Sequence, residues 1–505
     1  MLHVFIGIFP YAKPSAVGNV VYSQDYVWSV GNAAAVRFGA PLRDIRVAGG
    51  ILNYHFFTDA LTGILAQFSG QSAWDVATYF SWPIWMLLLT MALYALSRGF
   101  GTGPFTSFLL PVGVLLLHTG WEASTLHMFL NMNGVVQSNF YLACSILVLQ
   151  HADREKFKNK KTLFALVAIL AALLWAKSTV GLLLMCALVA AFFVDGLRNF
   201  IAHKKENREN VSVFKWPLAA VSLCGMLIFA LLWFFIYRNA INNLIFSPAF
   251  SQLIDAFNIL LRWCTLALAL YLFSLYFSLR NFNQLSIAAL VVNAFVPGGI
   301  VAYALFNHYS YSQSYFLLTA VFAMWLCAAM VAQKLFAKKN MRAPVCLLFL
   351  VSFLFTLYTT APILRTGVQT ALRCANLRPH FPVQAQSITP ADEQAAQWLH
   401  DNLCDDDVFA TNRNARDPAA ADGIFHYYSA VSERQGYVES WRYAMDYSLE
   451  YHLLRHNLEE ISDGIFAAQT FEEAASIARE NSIRALLVHL PSGGHAYPDA
   501  QPAFS

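Results

Sequence analysis

The sequence predicts a polytopic α-helical membrane protein with about ten or eleven transmembrane helices and a small α/β domain at its C-terminus. Of 505 residues, 57% are hydrophobic and only 12% are charged, whereas soluble domains usually carry about a quarter charged residues. Ten apolar segments approach the roughly 20 residues that a helix needs to cross a bilayer. They are 77–97, 104–118, 133–150, 163–176, 180–197, 217–237, 259–279, 287–305, 316–332 and 344–364.

The placement of charges and cysteines argues against nucleic-acid binding and against a metal site built from thiols. The net charge of +3 is small and its Lys and Arg are scattered among apolar segments, which argues against a nucleic-acid surface. Six cysteines lie within apolar stretches and form no CxxC or Cys/His cluster, so thiol chelation of a metal is not expected. Cys374 and Cys404 fall in the polar tail, where they could form a disulfide if the tail faces an oxidising compartment.

The chain divides into three predicted segments. Residues 1–71 form an N-terminal stub and an external loop, residues 72–364 form the transmembrane domain, and residues 365–505 form a soluble domain. The apolar stretch Met1–Tyr11 is shorter than a membrane span and has no basic n-region. We therefore expect a truncated first helix.

Lys and Arg are unevenly distributed between alternate connections. One set carries sixteen: Arg98, five within 154–161, five within 198–215, Arg280 and four within 334–342. The opposite connections, without the tail, carry seven: Lys13, Arg37, Arg43, Arg46, Lys177, Arg238 and Arg262. Because cytoplasmic loops are enriched in Lys and Arg, the richer set is predicted to be cytoplasmic. The first loop and the whole tail then face the outside or the periplasm.

Local patterns predict the elements outside the membrane. Segments 25–38 and 51–68 are periodic as amphipathic helices, which we expect to lie flat on the membrane surface. In the tail, Thr389 with Asp392 and Thr470 with Glu473 form helix-capping patterns. The apolar run 485–490 suits a buried strand. A helix followed closely by such a strand favours a small α/β domain.

Asp25 is the strongest candidate for a catalytic group. It lies in a loop rich in ionisable and hydrogen-bonding side chains beside apolar helices. A carboxyl in such a place tends to have a raised pKa, in the range useful for a general base. The alternative interpretation is a helix cap, or an ion-pair partner of Arg37 or Arg43.

Other candidates lie near the predicted external side of the membrane. Lys177 and Arg262 each interrupt an apolar helix, where a cation usually faces a cavity or a partner, and with Arg43 they could bind a phosphate. Snorkelling to lipid headgroups is the alternative. Acceptor binding is assigned to three further residues: Tyr54, His55 and Gln313. For these, a structural hydrogen bond or an aromatic belt is the alternative.

Several different short motifs occur along the chain. The first loop carries Asp25-Tyr26-Val27-Trp28, Asn32, the run Phe38-Gly39-Ala40-Pro41-Leu42-Arg43-Asp44 and the run Gly49-Gly50-Ile51-Leu52-Asn53-Tyr54-His55-Phe56. Later come Lys177-Ser178-Thr179, Ser312-Gln313-Ser314-Tyr315-Phe316, Gln397-Trp398-Leu399, Glu433-Arg434 and Glu439-Ser440-Trp441-Arg442-Tyr443. In these motifs the sequence resembles bacterial membrane proteins of the GT-C glycosyltransferase superfamily.

The resemblance implies a mechanism and roles for particular residues. It implies an inverting transfer from a polyprenyl-phosphate sugar, in which a loop aspartate takes the acceptor's proton; Asp25 matches that base. Asp44 matches the place of a second acid that binds a divalent metal or orients the acceptor. The loop has no adjacent acidic pair, so a metal cofactor stays open.

The resulting hypothesis is a glycosyltransferase of the bacterial cytoplasmic membrane. It moves a sugar from a polyprenyl-phosphate carrier to an extracytoplasmic glycan, lipid or protein. A transporter or flippase is the first alternative, although such proteins usually place polar groups near the bilayer midplane and show repeated halves. A lipid-linked glycan polymerase and an inactive membrane scaffold are the others. The sequence leaves the sugar and the acceptor open.

Overall fold

The computed structural model describes residues 13–18, 20–52, 56–116, 133–206, 215–237, 245–307, 313–337, 347, 350, 354, 385–413, 425–439 and 449–489. The chain forms two compact units. The first comprises Met1–Pro83, Arg238–Ile241 and Ile363–Ser505, and the second comprises Ile84–Tyr237 and Asn242–Pro362. The predicted first loop and tail thus fall in one unit.

Helices dominate the described elements. Up to the end of the second unit the helices are α1 Pro14–Val17, α2 Gln24–Ala35, α3 Phe57–Ser69, α4 Ala73–Asp75, α5 Trp82–Gly99, α6 Pro104–Ser107, α7 Leu109–Leu116, α8 Asn133–Arg154, α9 Lys160–Ala176, α10 Ser178–Glu206, α11 Trp216–Leu232, α12 Phe250–Trp263, α13 Thr265–Arg280, α14 Ile287–Leu305 and α15 Ser314–Ala337. In the tail they are α16 Pro390–Asn402, α17 Tyr427–Ser432, α18 Leu449–Ala467 and α19 Phe471–Glu480. The strands are β1 Val20–Ser23, β2 Ile245–Phe246, β3 Phe306–Asn307, β4 Ala385–Ile388, β5 Val408–Thr411, β6 Gln435–Gly436 and β7 Ile483–Leu487.

The second unit is a bundle of apolar helices. Of the described helices, five are long and apolar enough to span a membrane: Ala73–Gly99, Ser178–Ile201, Trp216–Ile236, Ile287–Leu305 and Ser314–Val331. Shorter apolar helices occupy Phe250–Leu261 and Ala267–Arg280. The chain is therefore a polytopic membrane protein. The last predicted apolar segment, 344–364, lies outside the described residues apart from three positions.

Close backbone approach holds two of these helices together. At Gly299 in α14, an added Cβ would lie 2.5 Å from the Phe316 carbonyl oxygen of α15. Only glycine permits that approach. The predicted break after the fourth apolar segment is also present, because α9 ends at Ala176 and α10 begins at Ser178.

The first unit joins the N-terminal loop to the tail. Strand β1 pairs antiparallel with β4, with Val20 opposite Ile388 and Ser23 opposite Ala385. In the tail, β5 lies between β6 and β7, and both pairings are parallel. Along the chain, helices precede and separate the strands of this sheet. The predicted small α/β domain is therefore confirmed.

The apolar stripe of α2 lies in the core of this unit. Val27, Val30 and Ala35 are fully buried and belong to one cluster with the tail residues Phe425 and Tyr427. The stripe thus packs against protein, whereas the sequence analysis placed it against the membrane surface. The same periodicity suits either environment, because both bury one apolar face.

Candidate functional site

Asp25 lies in the first turn of α2. A carboxylate is favourable there because the helix N-terminus carries partial positive charge. The Asp25 side chain is half-buried. Trp28 and Asn32 follow at three and seven residues, which places all three on one face of the helix. Whatever fixes Trp28 and Asn32 therefore also fixes the face that carries Asp25.

A buried arginine fixes that face. Arg46 is fully buried, and its Nη2 donates to Asn32 Oδ1 at 2.7 Å while its Nη1 donates to the Trp28 carbonyl at 3.2 Å. The guanidinium carbon lies 3.3 Å from the centre of the Trp28 ring. Three planar donors and a stacking face are properties of arginine that lysine lacks. Arg46 thus attaches the loop to the side of α2 that carries Asp25.

Asp44 is the ion-pair partner of that arginine. Its Oδ1 accepts from Arg46 Nε at 2.6 Å, and its Oδ2 accepts from the Tyr451 hydroxyl at 2.7 Å. Both oxygens are engaged, and the side chain is fully buried. This geometry favours a structural role for Asp44, which holds the loop to α18. The resemblance implied a different role, contact with a metal or an acceptor.

Two further acids lie close enough to Arg46 to interact with its charge. Burial raises the pKa of Asp59 to about 7, although hydrogen bonds from Asn32 and Ser29 oppose the rise. Burial likewise raises the pKa of Glu439 to about 7, against hydrogen bonds from Ser429. The sequence analysis did not single out Asp59. Its position beside Thr58 and Thr62 on one face of α3 was the available signal.

Backbone pairing connects the Arg46 segment to the tail. Gly436 N donates to the Ile45 carbonyl at 2.8 Å, and Glu439 N donates to the Arg46 carbonyl at 2.9 Å. Val47 forms an antiparallel bridge with Val438. The loop that carries the candidate base is thus built onto the tail segment with the Glu-Arg and Glu-x-Trp-x-Tyr motifs.

The remaining loop candidates have different surroundings. Arg43 is exposed, and its guanidinium lies 6.0 Å from the Phe38 ring centre. Arg37 pairs with Glu433 at 3.0 Å and with Asp405 at 2.8 Å. Three residues fall outside what the structure describes: Tyr54, His55 and the side chain of Arg262.

In the second unit, two of the motifs meet. Lys177 lies between α9 and α10 with 7% of its side chain exposed, and its Nζ is 3.5 Å from the Tyr315 ring centre. Gln313 is also buried, and its Nε2 donates to Asn307 Oδ1 at 3.3 Å. The lysine of the Lys-Ser-Thr motif therefore lies on the tyrosine of the Ser-Gln-x-Tyr-Phe motif.

The start of α10 beside Lys177 has donors suited to an anion. The hydroxyl of Thr179, in the first turn, is buried and has no hydrogen-bond partner in the part of the chain that the structure describes. The N–H groups of Val180 and Gly181 donate to the Lys177 carbonyl at 3.1 Å, while the helix dipole attracts anions at such a terminus. Among the described residues, no cluster of three or more His, Cys, Asp and Glu could hold a metal ion.

No family model and no curated protein matches the sequence, but solved structures do. The oligosaccharyltransferase of Archaeoglobus fulgidus in its apo form is similar to this chain at a TM-score of 0.51 and 11% identity, covering 95% of this chain and 68% of its own. The chain has the GT-C fold. The same archaeal enzyme, AglB, in complex with an inhibitory peptide and a dolichol-phosphate has a TM-score of 0.50, and its complex with Zn and sulfate has 0.51. Each of these two structures is 11% identical to this chain, and the match covers 68% of its length. The match covers 96% of this chain for the first structure and 97% for the second.

The comparison confirms the fold that the resemblance implied. It extends over nearly the whole chain, including both compact units. Because unrelated activities can share one fold, the reaction has to be argued from the residues.

Proposed function

We propose that this protein is a membrane glycosyltransferase that moves a sugar from a polyprenyl-phosphate carrier to an extracytoplasmic acceptor. The observation that carries the proposal is the GT-C fold over 95% or more of the chain. One neighbour with that fold holds a dolichol-phosphate and an inhibitory peptide. A lipid-linked donor and a separate acceptor are therefore the substrate classes that the fold favours.

Asp25 is the proposed general base. The acceptor oxygen attacks the anomeric carbon, the bond from that carbon to the phosphate oxygen breaks, and the lipid phosphate leaves with the electron pair. The acceptor's proton goes to the Asp25 carboxylate. A base must be held in place to act, and the contacts of Arg46 with Trp28 and Asn32 hold the helical face that carries Asp25.

Lys177 and the start of α10 are the proposed phosphate-binding group. The Lys177 ammonium is buried over the Tyr315 ring, and the cation–π contact stabilises it there. The Thr179 hydroxyl and the helix N-terminus add neutral donors. Such groups stabilise charge on a leaving phosphate. Arg43 and Arg262 stay proposed contacts of the donor phosphate. Tyr54, His55 and Gln313 stay proposed contacts of the acceptor.

The proposed location is the bacterial cytoplasmic membrane, with the loop and tail outside. The cationic asymmetry of sixteen against seven supports this orientation. The pairing of β1 with β4 adds that loop and tail belong on one side.

The substitution Asp25→Asn tests the base. It keeps the size of the side chain and removes its basicity, so transfer from a polyprenyl-phosphate sugar in membranes should fall about 10²- to 10⁴-fold. The amount of protein and its melting temperature should stay unchanged. The exposed acid Asp401 gives a matched control, because Asp401→Asn removes the same charge elsewhere and should leave transfer unchanged.

A second acid separates catalysis from structure. Asp44→Asn removes the partner of the buried Arg46, and breaking a buried pair costs about 3–5 kcal/mol, so it should lower the melting temperature.

Full transfer by Asp25→Asn would eliminate the base assignment. If the unmodified protein transferred no sugar from any lipid-linked donor, a transporter or an inactive scaffold would be the better account.

A further inference from the structure

A cavity lies within the transmembrane unit, among helix ends that carry arginines. Its volume is about 300 Å³, within the range of small-molecule sites. The C-terminal ends of α5, α8 and α13 and the start of α14 line it. Arg98, Arg154 and Arg280 lie in the last turns of the three helices that end there. These belong to the predicted cytoplasmic connections, which are rich in Lys and Arg.

One polar side chain in this cavity lacks a hydrogen-bond partner among the described residues. Gln150 is 6% exposed, and neither its amide nitrogen nor its amide oxygen is hydrogen-bonded to any of them. A buried amide without partners is unfavourable. The neighbouring Gly99 makes room for it, since a Cβ there would lie 2.1 Å from Gln150 Oε1. An amide with two free donors and an acceptor in a cavity is a site that a hydroxylated ligand can satisfy.

The charged groups of the cavity wall favour an anion. The carboxylate of Asp153 is compensated, because Oδ1 pairs with Lys215 Nζ at 2.9 Å and Oδ2 accepts from Ile287 N at 3.0 Å. Arg154 is exposed on the wall, and its Nη2 donates to the Gly99 carbonyl at 2.6 Å. A neutral oxygen does not cancel its charge. The wall therefore presents positive charge beside the free amide of Gln150.

We propose that this cavity binds a phosphoglycerol group. Arg154 meets the phosphate, the Gln150 amide meets the glycerol hydroxyls, and the rings of Phe100 and Phe277 form the apolar part of the wall. Basic cavities between transmembrane helices on the cytoplasmic side are suited to anionic lipid headgroups. The same chemistry occurs in soluble glycerol 3-phosphate, so the experiment must separate the two sources. This site is independent of the proposed transfer reaction.

Binding to the full-length protein in detergent tests the proposal by native mass spectrometry and thermal unfolding. Phosphatidylglycerol should bind and raise the melting temperature more than phosphatidylcholine does. Gln150→Leu and Arg154→Gln should each weaken binding about tenfold, the effect of losing one good hydrogen bond. Lys158→Gln is the matched control, because it removes an exposed charge nearby without touching the cavity.

The stability of Gln150→Leu distinguishes a binding role from a structural one. Removing an unpaired buried amide should leave the melting temperature of the lipid-free protein unchanged or higher, while binding falls. Displacement of the lipid by millimolar glycerol 3-phosphate would assign the site to the soluble compound, and its failure to compete would assign the site to the lipid. Equal binding of both lipids, equal weakening by Lys158→Gln, or a lower melting temperature with unchanged binding would overturn the proposal.

Discussion

The side chains around Arg46 show how a buried charge can be accommodated. A guanidinium stays charged at any ordinary pH, so its burial requires a compensating anion. Asp44 supplies that anion at 2.6 Å. Asp59 and Glu439 have pKa values raised to about 7 by burial, which shows that this site does not favour two more negative charges. Below about pH 7 the folded state therefore holds a proton on each of these two acids.

Protonation of Asp59 makes the stability of this unit pH-dependent. Its pKa is near 4 in an unfolded chain and about 7 in the fold, so between these values the folded state holds more protons. The contribution of Asp59 to stability is then fully present below about pH 4 and is lost as pH rises through about 7. Asp59→Asn removes this term and should gain stability over the unmodified protein by up to about 4 kcal/mol at pH 7. Thermal unfolding from pH 4 to pH 8 should show the two curves separating, with Asp401→Asn as control; parallel curves would contradict the assignment.

Helices α2 and α3 pack with an unusual distribution of polar residues. The buried face of α3 carries Thr58, Asp59 and Thr62, while Ile64 and Phe68 are exposed. Hydrophobic periodicity alone predicted an amphipathic helix at the membrane surface, and for α3 the exposed apolar edge keeps that prediction open. What periodicity could not reveal is that the opposite face packs through polar groups and a glycine.

Gly63 sets the distance between these two helices. A Cβ there would lie 2.2 Å from the Ala33 carbonyl oxygen, whereas one at Gly464 in α18 would meet nothing within 4 Å. Gly63→Ala should therefore destabilise the protein by about 1–3 kcal/mol through overpacking. Gly464→Ala should stabilise it by about 0.5–1 kcal/mol, because alanine is the better helix former. Thermal unfolding of both variants checks the pair, and an equal shift in one direction would refute the packing argument.

Local signals predicted elements well, and distant partners poorly. The Thr389 pattern is a capping box with Asp392, and Thr470 accepts from Glu473 N at the start of α19. The strand predicted at 485–490 occurs at Ile483–Leu487. By contrast, nothing local indicates that Val20 lies opposite Ile388. Capping depends on residues three apart, whereas strand pairing depends on a partner anywhere in the chain.

The same contrast applies to the candidate site. Lys177 became a candidate because a cation interrupts an apolar run, and Asp25 because an acid lies beside apolar helices; the roles of both stay predictions. The role of Arg46 could not be predicted, because its contacts with Trp28 and Asn32 come from a different element. At the scale of the whole molecule, composition alone was sufficient for the membrane class, since lipid allows few charged residues.

The membrane orientation is the prediction that governs the whole molecule, because an external donor requires an external loop. The loop and tail share hydrogen-bonded strands, so one reporter in each must give the same answer. Cys404 is exposed in the tail and has no disulfide partner among the described residues, whereas Cys374, its possible partner, lies outside them. Gln71→Cys places a second thiol in the loop. Lys158→Cys reports the opposite, basic connections.

With Cys374→Ser in all variants and Cys404→Ser in the two with new cysteines, a membrane-impermeant maleimide should label Cys404 and Gln71→Cys in intact cells. Lys158→Cys should react only after permeabilisation, because the excess of sixteen cations over seven predicts that its loop is cytoplasmic. The reverse pattern would place the proposed base on the cytoplasmic side and exclude an external donor. Labelling of Cys404 without Gln71→Cys would contradict the strand pairing instead, since hydrogen-bonded strands cannot lie on opposite sides of a bilayer.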